Sequence, residues 1–225
     1  VWINCNWIIY QGLKNKDKNF ANKIKEKTIN LIKKNLDIRS ERQFLLSIRG
    51  KSKTGFSSSE ISKVKKLSSK YRLPELDIEM DGLVQLLNRV DEIPVSMVLA
   101  QAAIESAWGT SRFAREGNAL FGEWTWQKNT GIKPLQKLNA NYSVKSFTNI
   151  TESLNSYILN LNRHDAYKEM RSYRHKKIKN GNEVRGYEIA NFLDGYAEIG
   201  HVYVTKVKEM IISNKLYKFD NLQLD

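Results

Sequence analysis

Residues 94–108, PVSMVLAQAAIESAW, run into residues 109–124, GTSRFAREGNALFGEW, and the first of these stretches decides how the chain folds. From Pro94 onward it is apolar nearly all the way round, the composition of a helix set inside a core. Pro94 suits the first helical position, where a missing N–H leaves nothing unsatisfied, and Gly109 marks the stop. The only ionisable residue of the helix is Glu105. At about 100° per residue it shares a face with Val98, Gln101, Ala102 and Trp108, so no polar stripe leads it to water. A buried carboxyl resists ionisation and its pKa rises. A general acid needs that property, because it must hold a proton near neutral pH and hand it to a leaving oxygen. The competing reading is a glutamate near a helix end with its head in solvent, and composition alone leaves both open.

Outward from this helix, residues 18–49 read as helical, with Phe20, Ile24, Ile29, Leu31 and Ile32 near helical spacing and lysines between them. The turn-rich GKSKTGFSSS at 50–59 breaks that pattern. Ser59 is placed as the cap of a helix through Lys70, with Ile61, Val64 and Leu67 on one stripe. A further helix covers about 77–89, with Leu83, Leu86 and Leu87 inward. Residues 124–148 change character to tryptophan, threonine, asparagine, Gly131 and Pro134, then alternate in NYSVKSF, which predicts a β-hairpin or irregular lobe. Helical pattern returns at 151–162, about 164–179, 186–194 and 200–214. The fold class is therefore α+β and mainly α-helical, with helices on either side of a small β-lobe.

The chain has 225 residues, enough for one good core or a core with an appended segment. Its single cysteine, Cys5, excludes an internal disulfide. The three histidines, His164, His175 and His201, have no neighbours at metal-ligand spacing, so neither a metal nor a cofactor is expected. The net charge of +13 is unevenly spread: residues 1–75 hold 18 Lys+Arg against 6 Asp+Glu, and residues 76–225 hold 19 against 18. A nucleic-acid enzyme keeps its positive charge beside its site, whereas here Glu105 lies in the near-neutral part, and no nucleic-acid partner is expected. The basic third reads either as solvated lysine faces or as a contact to an anionic membrane or wall polymer. The division expected is a basic helical segment at 1–75 and a catalytic domain at 76–225. The first residue is Val1 rather than Met, so the natural start is expected upstream. The opening VWINCNWIIY is shorter than the about 20 apolar residues needed to span a bilayer.

Residues 90–124 resemble the Bax-like branch of the glucosaminidase family, glycoside hydrolases with a lysozyme-like fold. The family pattern, approximately P-x-x-x-x-x-A-Q-A-x-x-E-S-x-W-G-x-S followed by N-x-L-F-G, is met by Pro94, Ala100, Gln101, Ala102, Glu105, Ser106, Trp108, Gly109, Ser111, Asn118, Leu120, Phe121 and Gly122. The likeness extends through SFTNITESLNSYILNLNRHDAY at 146–167 and DGYAEIGHVYVTKVKEMI at 194–211, and covers about 85–215. The first 75 residues match only loosely. The resemblance implies a helical lobe beside a β-lobe, and an endo-β-N-acetylglucosaminidase acting on the glycan strands of bacterial peptidoglycan. It makes Glu105 the proton donor and Gln101, one turn before it, a group that orients the acid or the sugar. It places Asn118, Phe121 and Tyr203 on the substrate side, with Phe121 and Trp108 chiefly bracing the helix. Tyr196 matches a tyrosine that contacts the substrate's N-acetyl group or reacting centre; the alternative for it is a core tyrosine. The substrate would put the protein outside the cytoplasm, in the periplasm or envelope.

The sequence departs from the family in one respect. Many relatives carry a second acid in the β-lobe, and residues 124–147 hold neither Asp nor Glu. Glu123 and Glu152 flank the lobe without matching the expected position. Either one of them substitutes, or one protein carboxylate suffices because the substrate's own acetamide is the nucleophile, or the chain is a non-catalytic wall-glycan-binding relative. A muramidase shares the fold, so fold alone leaves the bond open.

Overall fold

The structure, a computed structural model, describes residues 18–221 apart from 79, 128–129, 136–140 and 198–199, with side chains from residue 26 onward except 53 and 80. Cys5 and the opening stretch lie outside the described residues, as do the side chains of Phe20 and Ile24. Helix α1 runs over Lys18–Ile48, α2 over Ser58–Lys70, α3 over Met80–Arg89, α4 over Val95–Glu105 and α5 over Arg112–Gly117. Strands β1 (Trp124–Thr125) and β2 (Ser143–Val144) follow, then α6 (Ile150–Arg163), α7 (Lys168–Lys179), α8 (Gly186–Ile189) and α9 (His201–Ser213). The mainly helical α+β class predicted from the sequence is the class observed.

Local chemistry moves three predicted boundaries. The cap of α2 is Ser57, not Ser59: the Ser57 hydroxyl accepts from the Glu60 amide at 3.2 Å, and the Glu60 carboxylate accepts from the Ser57 amide at 2.9 Å. Only Ser57 has a glutamate three residues on, which closes this reciprocal pair. Pro94 stands just before α4 with an extended ψ of 130°, and the helix ends at Glu105 rather than Gly109. The β-lobe is small. Its two strands pair antiparallel with Trp124 opposite Val144, and Ile132 bridges to Val144 from the far side. Gly131 is required there, since a Cβ would lie 2.2 Å from the Val144 carbonyl oxygen.

The chain forms two compact units. One draws on described residues of Val1–Ile32, Pro94–Ile158 and Arg185–Asp225, the other on Lys33–Ile93 and Leu159–Val184. In the first, α4 is the central element: Met97, Val98, Leu99 and Ala100 are buried, and α8, α9 and the turn at Leu216–Phe219 pack on it. Asp220 ties these elements together, accepting from the Ser96 amide and hydroxyl, both at 2.8 Å, and from the Gly186 amide at 3.1 Å. In the second unit, Leu45, Leu83, Leu86 and Leu87 are buried around a polar knot. There the buried Arg174 donates to Asn162 Oδ1 at 2.8 Å and to the Glu92 carbonyl at 3.0 Å, while Arg42 meets the Asp91 carboxylate at 3.1 Å.

Candidate active site

The site is built on the last turn of α4. Ser106 terminates the helix: its hydroxyl donates back to the Ala102 carbonyl and accepts from the Gly109 amide at 2.7 Å. The chain then passes through three successive residues at positive φ, Ala107 at 47°, Trp108 at 61° and Gly109 at 79°. Two of these are not glycine, and left-handed backbone on such residues is a cost that collects at functional positions. Its effect is to leave Glu105 as the final helical residue. Unpaired carbonyls at a helix C-terminus disfavour a neighbouring anion, and Glu105 is half-buried. Burial raises its pKa above the ordinary carboxylate value, and a hydrogen bond from Tyr203 opposes part of that rise.

That hydrogen bond is the end of a chain. Tyr157, on α6, donates to Gln101 Oε1. Gln101 Nε2 donates to the Tyr203 hydroxyl at 3.0 Å, and Tyr203, on α9, donates to Glu105 Oε1 at 2.6 Å. An amide oxygen only accepts and an amide nitrogen only donates, so every proton in the chain points toward Glu105. With Oε1 occupied as an acceptor, a proton taken up by Glu105 goes to Oε2. Gln101 and Tyr203 are both buried, so each acts on Glu105 from behind.

Tyr196 is close by but differently engaged. Its ring stacks on Tyr203 with centroids 5.2 Å apart, and its hydroxyl donates to the Phe121 carbonyl at 2.9 Å. Phe121 is buried and stacks on Tyr157 with ring centroids 3.9 Å apart. Asn118 turns the chain out of α5 at φ 50°, and its amide holds the Phe147 carbonyl at 3.0 Å. The structure thus brings Glu105, Gln101, Tyr203, Tyr196 and Phe121 together, and sets Asn118 to holding the loop. The sequence reading did not include Tyr157. Its only signal was a hydroxyl on the apolar stripe Leu154, Tyr157, Ile158, Leu161, all buried.

The two flanking carboxylates are also engaged. Glu123 accepts from the Ser156 hydroxyl at 2.8 Å and has the Lys145 ammonium 3.9 Å away. Glu152 caps the start of α6, accepting from the Thr148 amide at 3.0 Å. On the β-lobe, Trp124 and Trp126 are 56% and 65% exposed, and Trp124 stacks on Tyr142 at 4.7 Å. The two indoles, with ring centroids 6.3 Å apart, form an exposed apolar surface on the β-lobe. Among the described residues no group of three or more His, Cys, Asp or Glu could hold a metal.

A family model described as mannosyl-glycoprotein endo-beta-N-acetylglucosaminidase matches residues 82–216. The chain is 33% identical over 178 residues to "Protein bax" of Escherichia coli (strain K12), across 75% of this chain and 60% of that relative. It therefore spans less than two thirds of the length of the relative it matches. No solved structure matches it.

Proposed function

The chain belongs to the glucosaminidase family as a Bax-like member, and from that membership we propose that it is an endo-β-N-acetylglucosaminidase cutting β-1,4 bonds of peptidoglycan strands. The observation that carries the reading is Glu105: a half-buried carboxyl whose burial favours the protonated form, with Tyr203 on one oxygen and the proton left for the other. Glu105 gives that proton to the glycosidic oxygen as its bond to the sugar's anomeric carbon breaks. The carbonyl oxygen of the neighbouring 2-acetamido group forms the new bond to that carbon, giving an oxazolinium. Glu105, now a carboxylate, then takes a proton from the water that opens the ring.

This route uses one protein carboxylate, which suits a β-lobe without Asp or Glu and flanking acids held by Ser156, Lys145 and the α6 cap. Tyr196 steadies the acetamide by turning its hydroxyl from the Phe121 carbonyl to the substrate. Trp124, Trp126 and Tyr142 offer flat apolar faces to further sugars of the strand. The substrate places the protein outside the cytoplasm, and the basic residues of 1–75 attract it to anionic membrane or wall polymer.

Mass spectrometry of peptidoglycan digests, with early NMR of the product anomer, tests the proposal. Products should end in reducing N-acetylglucosamine with retained anomeric configuration, and Glu105→Gln should lower cleavage by about 10²–10⁴-fold. A muramic acid end reassigns the bond, and inversion removes the substrate-assisted route. Binding of wall glycan with no cleavage by the wild-type chain makes it a wall-binding relative instead, the reading that the missing second acid favours.

A further inference from the structure

A cavity of about 520 Å³ lies between one face of α3, carrying Gln85 and Arg89, and one face of α7, carrying Lys168, Arg171 and Ser172, with Asp165 at its edge. Residues three and four apart on a helix share a face, so both walls follow from the sequence spacing. All of these residues belong to the second compact unit, and the site stands apart from the glycan reading.

Among the described residues that line it, the cavity is short of negative charge. Arg171 is only 3% exposed, yet makes no ion pair with any described residue. Its Nη1 donates to the Leu161 carbonyl at 3.1 Å and to the His164 carbonyl at 2.6 Å, and its Nε and Nη2 carry no hydrogen bond to any described residue. Burial, then the nearby Arg89 and Arg174 guanidinia, lower its pKa to about 10. Lys168 is exposed at the rim, and its ammonium makes no hydrogen bond or ion pair among the described residues. Arg89 reaches Asp165 at 3.3 Å, but that carboxylate is 88% exposed and weakly held. Three cations thus face one solvated carboxylate. A buried guanidinium without an anionic partner is costly, and an oxyanion accepting its free N–H groups relieves that cost.

We propose that this cavity is a binding site for a phosphate group, held by the free donors of Arg171 and by Lys168, with Arg89 supplying further charge. The surplus of two positive charges matches a phosphate dianion better than a carboxylate, and the volume exceeds that of phosphate alone, so an ester fits. Gln85 and Ser172, both exposed at the opening, offer polar contacts to whatever the phosphate is attached to.

Calorimetry on the whole chain at constant ionic strength tests this, with inorganic phosphate, glycerol 3-phosphate, acetate and chloride as probes. Phosphate should give saturable heat that acetate and chloride do not. Lys168→Ala should weaken it by roughly five- to tenfold, the loss of one charge-assisted hydrogen bond at an exposed position. Ser172→Asp, which adds a carboxylate at the mouth, should abolish it. Both positions are exposed, so an unchanged Tm without phosphate shows that the variants are folded. Tighter binding of glycerol 3-phosphate than of phosphate makes an ester the occupant; equal binding makes it the free ion. No saturable heat, equal binding of acetate or chloride, or affinity unmoved in both variants overturns the proposal.

Discussion

Glu105 sits where three influences meet: burial and the helix end favour its neutral form, and the Tyr203 hydroxyl favours its charged form. As a general acid it works while protonated, so cleavage should fall as pH rises through its raised pKa. Tyr203→Phe removes the one influence that opposes the rise. The falling limb of the pH–rate profile on soluble glycan fragments should therefore move to higher pH, and a limb that stays or moves down would refute this account. Stability carries the same sign. A carboxyl whose folded pKa lies above its unfolded value contributes stability at low pH and loses it as pH rises through the folded pKa. Glu105→Gln, which cannot ionise, should thus have a higher Tm than wild type at neutral pH, the gap shrinking as pH falls through the raised folded pKa and closing by the ordinary carboxylate value. The candidate acid was legible in the sequence, being the only charge in an apolar helix. Its partner was not. Tyr196 and Tyr203 lie on one segment, and only the packing of α9 on α4 shows that Tyr203 reaches the carboxyl while Tyr196 bonds to a backbone carbonyl. Tyr157 was invisible for a related reason, because a tyrosine on an apolar stripe looks like core until its hydroxyl partner is known.

At the level of elements, the N-terminal turn of α4 depends on a residue 124 positions away, Asp220, which receives the Ser96 amide and hydroxyl and the Gly186 amide. Asp220→Ala leaves these donors without an acceptor and should cost about 3 kcal/mol, a fall in Tm of about 6–12 °C for a chain of this size. A fall of a degree or less in thermal melting would mean that water replaces the carboxylate without loss. Gly186 has the same origin: a Cβ there would lie 2.1 Å from Ser96 Oγ and 2.8 Å from the Met97 amide, so α8 can approach α4 only through glycine. The sequence showed where helices run because apolar spacing is local. It misplaced the end of α4 because the stop is made by the Ser106 hydroxyl rather than by Gly109, a choice that composition does not reveal.

Across the whole molecule, the described residues of the basic third hold buried apolar side chains: Leu31 and Ile32 of α1 fall in one unit and Ile38, Leu45 and Ile48 in the other, so the charge of this stretch is better tested by substitution than by truncation. Lys65 and Lys66 are exposed on α2. Lys65→Gln with Lys66→Gln should weaken adsorption to anionic vesicles by about fivefold per lysine at low salt, with the difference vanishing at high salt as screening shortens the reach of charge. Equal adsorption of variant and wild type at low salt would place the attraction elsewhere. The chain of donors behind Glu105 has a different consequence, one of timing. Its links join residues 56, 102 and 98 positions apart, and a ribosome makes Glu105 long before it makes Tyr157 or Tyr203. A chain stopped short of Tyr203 carries a glutamate with no donor and no α9 to shelter it, an ordinary surface acid that is ionised at neutral pH. On the function proposed, catalytic competence arrives late in synthesis, and the nascent chain cuts no glycan.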